Sequence, residues 1–458
     1  MITTLSSLLC LLTQVLAVDY NPDDLSSMQD STSEVVKGML DYYPAGSSDE
    51  STRSGATVGM FQEPYYWWEA GVAFGVLIDY QYLLEESNYT SMIKAALLHQ
   101  AGDSYEFMPS NQSLVEGNDD QGFWGLTVMT AAERNFSNPG DDEPGWLYSA
   151  EAVYKDMKDR WDTKECGGGL RWQIYTWNSG YDYKNTVSNG CLFNLAARLA
   201  RYTGNSTYAD TAKEVWDWMS DTELIDTSGD SFAVYDGAST SDSCSKVTEN
   251  QWTYNSGLLL SGAAYMYAYS NGSSEWQTRA KNIWSHGSSV FFEDNVVREL
   301  CQDSKKCNND QRCFKGIYLQ QLSQTAVLVP DLQDDIMTAI NASAKAAAQS
   351  CSGGRDGHTC GMNWNQGSYD DMYGLGEQIN AVSAFTSSLV LSKDGPYTAH
   401  NGGSSNDTAT KGISSGSGSN TNPLEDDRPV TTGDRAGAGI VTAILMIFLI
   451  GVGIWIIL

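Results

Sequence analysis

The stretch Ala209-Asp210-Thr211-Ala212-Lys213-Glu214-Val215-Trp216-Asp217-Trp218-Met219 decides the fold. Its apolar residues recur every three or four positions, the period of a helix with one wet face. Upstream, Ser188-Asn189-Gly190-Cys191-Leu192-Phe193 opens a stretch of another kind, small and apolar on most sides. A helix apolar all round belongs inside a protein; a helix with one polar face belongs at the surface. The two kinds alternate along the whole chain.

One-sided, charged helices are expected over residues 32–42, 89–100, 146–161, 208–220, 275–290 and 332–349. Between them, six small-residue-rich stretches each begin near a glycine. Three start at Glu69-Ala70-Gly71, Asp120-Gln121-Gly122 and Ser188-Asn189-Gly190. The others start at Asn255-Ser256-Gly257, Phe314-Lys315-Gly316 and Met372-Tyr373-Gly374. The pattern predicts an all-α fold, an (α/α)6 barrel of six inner helices wrapped by six outer ones. Period-two strands are scarce, and residues 169–177 and 231–235 are expected as short loop hairpins. The loops ahead of the inner helices should converge at one end, where a substrate cleft is expected.

The termini read as processing signals. An apolar run over residues 5–16 followed by Ala17 resembles a secretory leader, 1–17, although no basic residue precedes it. The globular part should span 18–395, followed over 396–435 by a Gly/Ser/Thr-rich stalk. A hydrophobic tail, 436–458, closes the chain with no Lys or Arg after it. Small residues, a polar spacer and a terminal apolar tail make a GPI-attachment signal, with Ser419 or Asn420 as the attachment residue. The expected location is the outer face of the plasma membrane and the cell wall.

Secretion fits the rest of the composition. Cys166, Cys191, Cys244, Cys301, Cys307, Cys313, Cys351 and Cys360 remain after the leader, an even set that favours disulfides. Cys351 with Cys360 is one local pairing, and two of Cys301, Cys307 and Cys313 make another. Glycosylation sequons begin at Asn88, Asn111, Asn135, Asn205, Asn271, Asn341 and Asn406. A formal charge of −30 excludes nucleic acid as a partner. The 14 tryptophans and 25 tyrosines point instead to carbohydrate, whose C–H faces stack on aromatic rings.

Polar and aromatic residues cluster where the inner helices begin. The acids Asp119 and Asp120, in Glu116-Gly117-Asn118-Asp119-Asp120-Gln121-Gly122-Phe123-Trp124, are the strongest candidates, because glycoside hydrolysis needs two carboxyl groups side by side. The bland reading is helix capping. Recurrence of such clusters at equivalent places argues for a ligand. Candidate sugar contacts are Trp67, Trp68, Gln121 and Trp124; then Arg171, Asn189 and Asp236; then Trp252, Tyr254, Asn255, Trp364 and Asp371.

The motifs quoted above, with Tyr-Trp-Trp-Glu-Ala-Gly (66–71), Tyr-Asp-Gly (235–237) and Trp-Thr-Tyr-Asn-Ser-Gly (252–257), resemble glycoside hydrolase family 76. The closest likeness is to its fungal, GPI-anchored branch of mannan endo-1,6-α-mannosidases in cell-wall assembly. The resemblance covers about residues 25–390. It implies the barrel, a retaining mechanism and α-1,6-linked mannose as substrate. It makes Asp119 the nucleophile, Asp120 the general acid/base and Asp236 a sugar contact.

Two acceptors are open: water, giving trimming of wall mannan, or a sugar hydroxyl, giving transfer of GPI-core mannan to wall glucan. A non-catalytic sugar-binding wall protein is the third reading. No cofactor or metal is expected: His99, His286, His358 and His400 are scattered, and the acids between Asp303 and Asp310 read as a solvated loop rather than a calcium site.

Overall fold

The computed structural model describes residues 17–46, 54–140, 142–354 and 357–401. The expected leader up to residue 16, the stalk and tail beyond residue 401, Ser419, Asn420 and the Asn406 sequon lie outside them. Among the described residues, twelve helices alternate strictly. The outer set is α1 (Leu25–Leu40), α3 (Thr90–Gln100), α5 (Trp146–Asp159), α7 (Ser206–Asp221), α9 (Ser274–Val290) and α11 (Pro330–Ser350). The inner set is α2 (Trp67–Leu84), α4 (Asn118–Glu133), α6 (Thr186–Thr203), α8 (Thr253–Tyr269), α10 (Phe314–Leu328) and α12 (Leu375–Ser388). Each inner helix packs on the next, and α12 closes back on α2, so the ring is the expected (α/α)6 barrel.

Burial follows the two residue patterns. In α2 every residue except Tyr82 is buried. In α7 the buried residues recur at helical spacing, Tyr208, Thr211, Ala212, Val215, Trp216 and Met219 among them. Glycines let inner helices approach closely: a Cβ on Gly122 would lie 2.6 Å from Cys191 Cβ on the neighbouring helix. Two buried ion pairs stand inside the ring, Arg198 with Glu133 and Arg134 with Asp79, each at 2.7 Å. Removing one partner of such a pair costs about 3–5 kcal/mol, because the other charge is left buried alone.

The inner helices begin at one pole and end at the other. A helix of this length spans about 20–27 Å, at ~1.5 Å per residue. Long loops fill the first pole. There β1 (Tyr183–Asn185) pairs with β4 (Gly237–Ser239), which pairs with β5 (Val247–Thr248). Two hairpins complete the strands: β2 (Ile225–Asp226) with β3 (Ala233–Val234), and β6 (Phe292–Glu293) with β7 (Val296–Val297). The hairpin expected around 231–235 therefore exists through β3. The one expected over 169–177 does not. Gly169 has φ +95° and lies so close to Trp218 that a Cβ would stand 2.3 Å from that ring, which turns the chain instead of extending it. Beyond it, Trp172 N–H donates to Tyr183 O at 2.7 Å, and Asn118 N–H to Trp172 O at 2.9 Å.

Disulfides join Cys166 to Cys244, Cys301 to Cys307 and Cys351 to Cys360. The last is the expected local loop. The even count does not mean complete pairing: Cys191 and Cys313 are buried free thiols. They sit on α6 and just before α10, each used as a small packed side chain.

At the far pole the chain's last described segment crosses the helix ends. Tyr397 N–H donates to Glu133 O at 2.9 Å and Ala399 N–H to Tyr202 O at 3.1 Å.

Candidate active site

In α4 every residue is buried except two, Asp119 and Asp120. Both open into a cleft of about 640 Å³ at the pole where the inner helices begin. Asp120 sits at the third helical position and its Oδ2 accepts the Gly117 N–H at 2.5 Å. Asp119 Oδ1 accepts the Asp120 N–H at 3.1 Å. Capping and cleft exposure thus coexist in the same pair. Their separation is bounded by Gly117: a Cβ there would stand 2.4 Å from Asp119 Oδ1 and 3.4 Å from Asp120 Oδ2. Those two oxygens therefore lie at most 5.8 Å apart, the sum of the two distances.

Electrostatics set both acids above the ordinary carboxylate range. Burial raises Asp119 well above it, and the neighbouring Asp120 charge adds to the rise; hydrogen bonds from backbone N–H groups and the Trp172 side chain oppose it. Burial raises Asp120 to about 7, against the Gly117 hydrogen bond and with the charge of Asp310 behind it. Two carboxyl groups this close resist ionising together, so the pair retains a proton near neutrality.

Around them runs an aromatic ladder drawn from four inner helices. Trp68 of α2 packs on Phe123 of α4 with ring centroids 4.8 Å apart; Phe123 faces Tyr254 of α8 at 6.4 Å; Tyr254 stacks on Phe314 of α10 at 3.7 Å. Opposite, Asp236 is held by Trp252 Nε1 at 2.9 Å and by Tyr183 Oη at 2.7 Å. Five acidic side chains line the cleft, Glu116, Asp119, Asp120, Asp236 and Asp310, and no Lys, Arg or His lines it among the described residues. Such a surface favours neutral or cationic polyhydroxylated ligands and repels anions.

Of the residues singled out in the sequence, Asp119, Asp120, Trp67, Trp68, Asp236, Trp252 and Tyr254 line this cleft together. The other seven, expected as sugar contacts, stand behind or away from it. Trp124, one turn below Asp120, is fully buried against Trp67 and Phe107. The Gln121 amide donates to Glu106 O at 2.7 Å and Asp156 Oδ2 at 2.8 Å, bracing the helix start from behind. Asn189 clasps Leu170 through its N–H and C=O at 2.8 and 3.0 Å. Asn255 is buried within α8. Arg171 pairs with Asp162 at 2.8 Å and lies over the Tyr181 ring. Trp364 is buried beneath the Lys315 ammonium, 3.9 Å from its ring centre, and Asp371 is exposed outside the lining.

Tyr183 and Asp310 are among the lining groups that were not foreseen. Tyr183 arrives on β1, which the residue pattern did not announce. Asp310 belongs to the loop read as merely solvated, yet it accepts the Trp68 Nε1–H at 3.1 Å, and burial raises it too. Its position four residues ahead of Phe314, where an inner helix opens, was the available signal.

Residues 27–400 match the sequence profile of Glycosyl hydrolase family 76. The chain is 51% identical over 442 residues to mannan endo-1,6-alpha-mannosidase DCW1 of Saccharomyces cerevisiae, covering 96% of this chain and 95% of that protein. It is 49% identical over 440 residues to DFG5 of the same organism, covering 96% and 94%. Among solved structures it resembles Dfg5 from Chaetomium thermophilum in complex with glucosamine, with 35% identity, a TM-score of 0.79, and coverage of 86% of this chain and 99% of that one. An alpha-1,6-mannanase of Salegentibacter sp., solved with alpha-1,6-mannotetrose, shares the fold at 18% identity and a TM-score of 0.63, over 80% of this chain and 99% of that one.

Proposed function

Because the chain belongs to glycosyl hydrolase family 76, we propose that its cleft breaks α-1,6 mannosidic bonds with retention and passes the sugar to an acceptor. The observation that carries this is the pair Asp119 and Asp120, the only two residues of α4 left open, with oxygens at most 5.8 Å apart. Retaining enzymes hold their carboxyl groups about 5–5.5 Å apart and inverting ones about 6.5–9.5 Å, so the bound supports retention.

Asp119 attacks the anomeric carbon, the bond to the leaving 6-oxygen breaks, and Asp120 delivers the proton to that oxygen. Positive charge growing on the sugar draws the pair's negative charge to Asp119 and leaves the proton on Asp120. A pKa of about 7 suits Asp120 to give that proton and then take one from the incoming hydroxyl. The glycosyl–Asp119 ester is resolved when the acceptor oxygen bonds to the anomeric carbon.

The donor we favour is the mannose core of a GPI anchor, and the acceptor a glucan hydroxyl. The cleft's acidic lining, with no basic side chain among the described residues, supports this donor, because a GPI core carries glucosamine, whose amine is protonated at neutral pH. The Chaetomium relative was solved with glucosamine. The enzyme works tethered by its own GPI anchor on the outer face of the plasma membrane, against the wall. Mass spectrometry of products from a synthetic GPI-core glycan plus a glucan oligosaccharide tests the whole reading. A glucan-linked product is expected. Free glycan alone moves the enzyme to hydrolysis, and unchanged donor leaves a sugar-binding protein without turnover.

A further inference from the structure

A second cavity, of about 450 Å³, opens at the pole opposite the cleft. Its size falls within the ~300–1,000 Å³ of small-molecule sites. One wall is Tyr82, the single residue of α2 that is not buried, whose ring meets Tyr397 edge to face at 5.9 Å. Arg134, committed to Asp79, lies over the Tyr82 ring at 5.0 Å. The other wall is the chain's own last described segment. Tyr82 Oη donates to Asp394 O at 3.3 Å, Lys393 pairs with Glu85, and Tyr397 N–H holds Glu133 O.

Asn135 stands in this cavity's wall. It begins the sequon Asn135-Phe136-Ser137, is exposed, and turns the chain out of α4 in the left-handed conformation at φ +50°. Its side-chain amide makes no hydrogen bond among the described residues. The other described sequons differ. The Asn88 amide is bound to the Glu86 carboxylate at 2.8 Å, and none of Asn88, Asn111, Asn205, Asn271 and Asn341 lines either of the two large cavities.

We propose that Asn135 carries an N-linked glycan whose first N-acetylglucosamine residues fold back into this cavity, stacking on Tyr82 and Tyr397 and holding segment 393–397 against the barrel. The inference rests on the secretory routing proposed above. Sugar seated there meets the exposed parts of both tyrosine rings and leaves the protein's own ion pairs intact. It also fixes the point where the chain departs.

The test uses the full chain secreted from a glycosylating host, with glycopeptides mapped by mass spectrometry. An endoglycosidase that cuts between the two core N-acetylglucosamines is applied before and after denaturation. The Asn135 glycan should be released at least about tenfold more slowly than the others in the native protein, because cleavage waits on local opening. Denaturation, or Tyr397→Ala in protein that still turns over substrate, should abolish the difference. A vacant Asn135 among occupied sequons, or release at the common rate, overturns this inference alone. No glycan at any sequon takes down the routing with it.

Discussion

The starts of α2 and α4 are built alike and end up doing different things. At each, an acid in the third helical position folds back to accept the backbone N–H just ahead of the helix at 2.5 Å: Glu69 from Tyr66, Asp120 from Gly117. At each, burial pushes that acid up, Glu69 to about 8 and Asp120 to about 7. Yet Glu69 is fully buried, with Asn309 Nδ2 as a further partner at 2.9 Å, whereas Asp120 opens to the cleft beside Asp119. A displaced pKa and a capping bond therefore do not mark a catalytic acid. A second carboxyl group and an open path for substrate do.

Substitution at the two sites separates them most sharply. Asp120→Asn should lower kcat on an α-1,6-mannooligosaccharide by about 10²–10⁴-fold, the usual worth of a general acid, and Asp119→Asn by more. Glu69→Gln should keep kcat within about tenfold, since it touches no reacting atom. Equal losses at Glu69 and Asp120 would erase the distinction. Trapping with an activated fluoromannoside should place the ester on Asp119, and label on Asp120 would exchange the two roles.

Geometry gives the next effect. Gly117→Ala places a methyl 2.4 Å from Asp119 Oδ1 and 3.0 Å from Trp172 O, so the pair must move. A displacement of about 1 Å costs roughly 10²-fold, read in kcat/KM with the far-UV circular dichroism spectrum unchanged.

A smaller change separates the acids by pH. Asp120 must be protonated to act as the acid, so kcat/KM should fall as pH rises through about 7. Asp310→Asn removes a like charge, eases Asp120 ionisation and moves that limb to lower pH. Glu69→Gln should leave it in place.

The smallest is a stability effect. Glu69 and Asp120 both ionise less readily in the folded chain than in the unfolded one, so the stability they confer is whole below about pH 4 and declines up to their folded values of about 8 and 7. Melting temperature should therefore drop between pH 5 and pH 8. Asp120→Asn should shrink that drop by ~2 °C, of the order expected for a kcal/mol or less in a domain of this size. A larger drop in the variant would reverse the sign assigned to the pair.

The barrel was readable because its two helix types differ in composition, and because glycines such as Gly122 and Gly257 sit where helices touch: a Cβ on Gly257 would lie 2.9 Å from the Tyr318 ring. The acid pair was readable for a related reason, two charges standing at the head of a stretch otherwise fit only for burial. The surrounding contacts were less so. Trp124 and Asn189 sit near helix starts as Trp68 and Tyr254 do, but depth along a helix and direction around it are fixed by packing, and spacing does not report them. Asp310 hid in the short turn between the Cys301–Cys307 disulfide loop and α10, where no period exists to read. Cys191 and Cys313 misled as a count, since partners are set by which helices meet.

The polypeptide takes its leave beside Tyr202, on the side of the ring away from Asp119. Mouth and foot of the ring are thus a helix length apart, about 20–27 Å at ~1.5 Å per residue, so the last described residues and an incoming sugar do not compete for space.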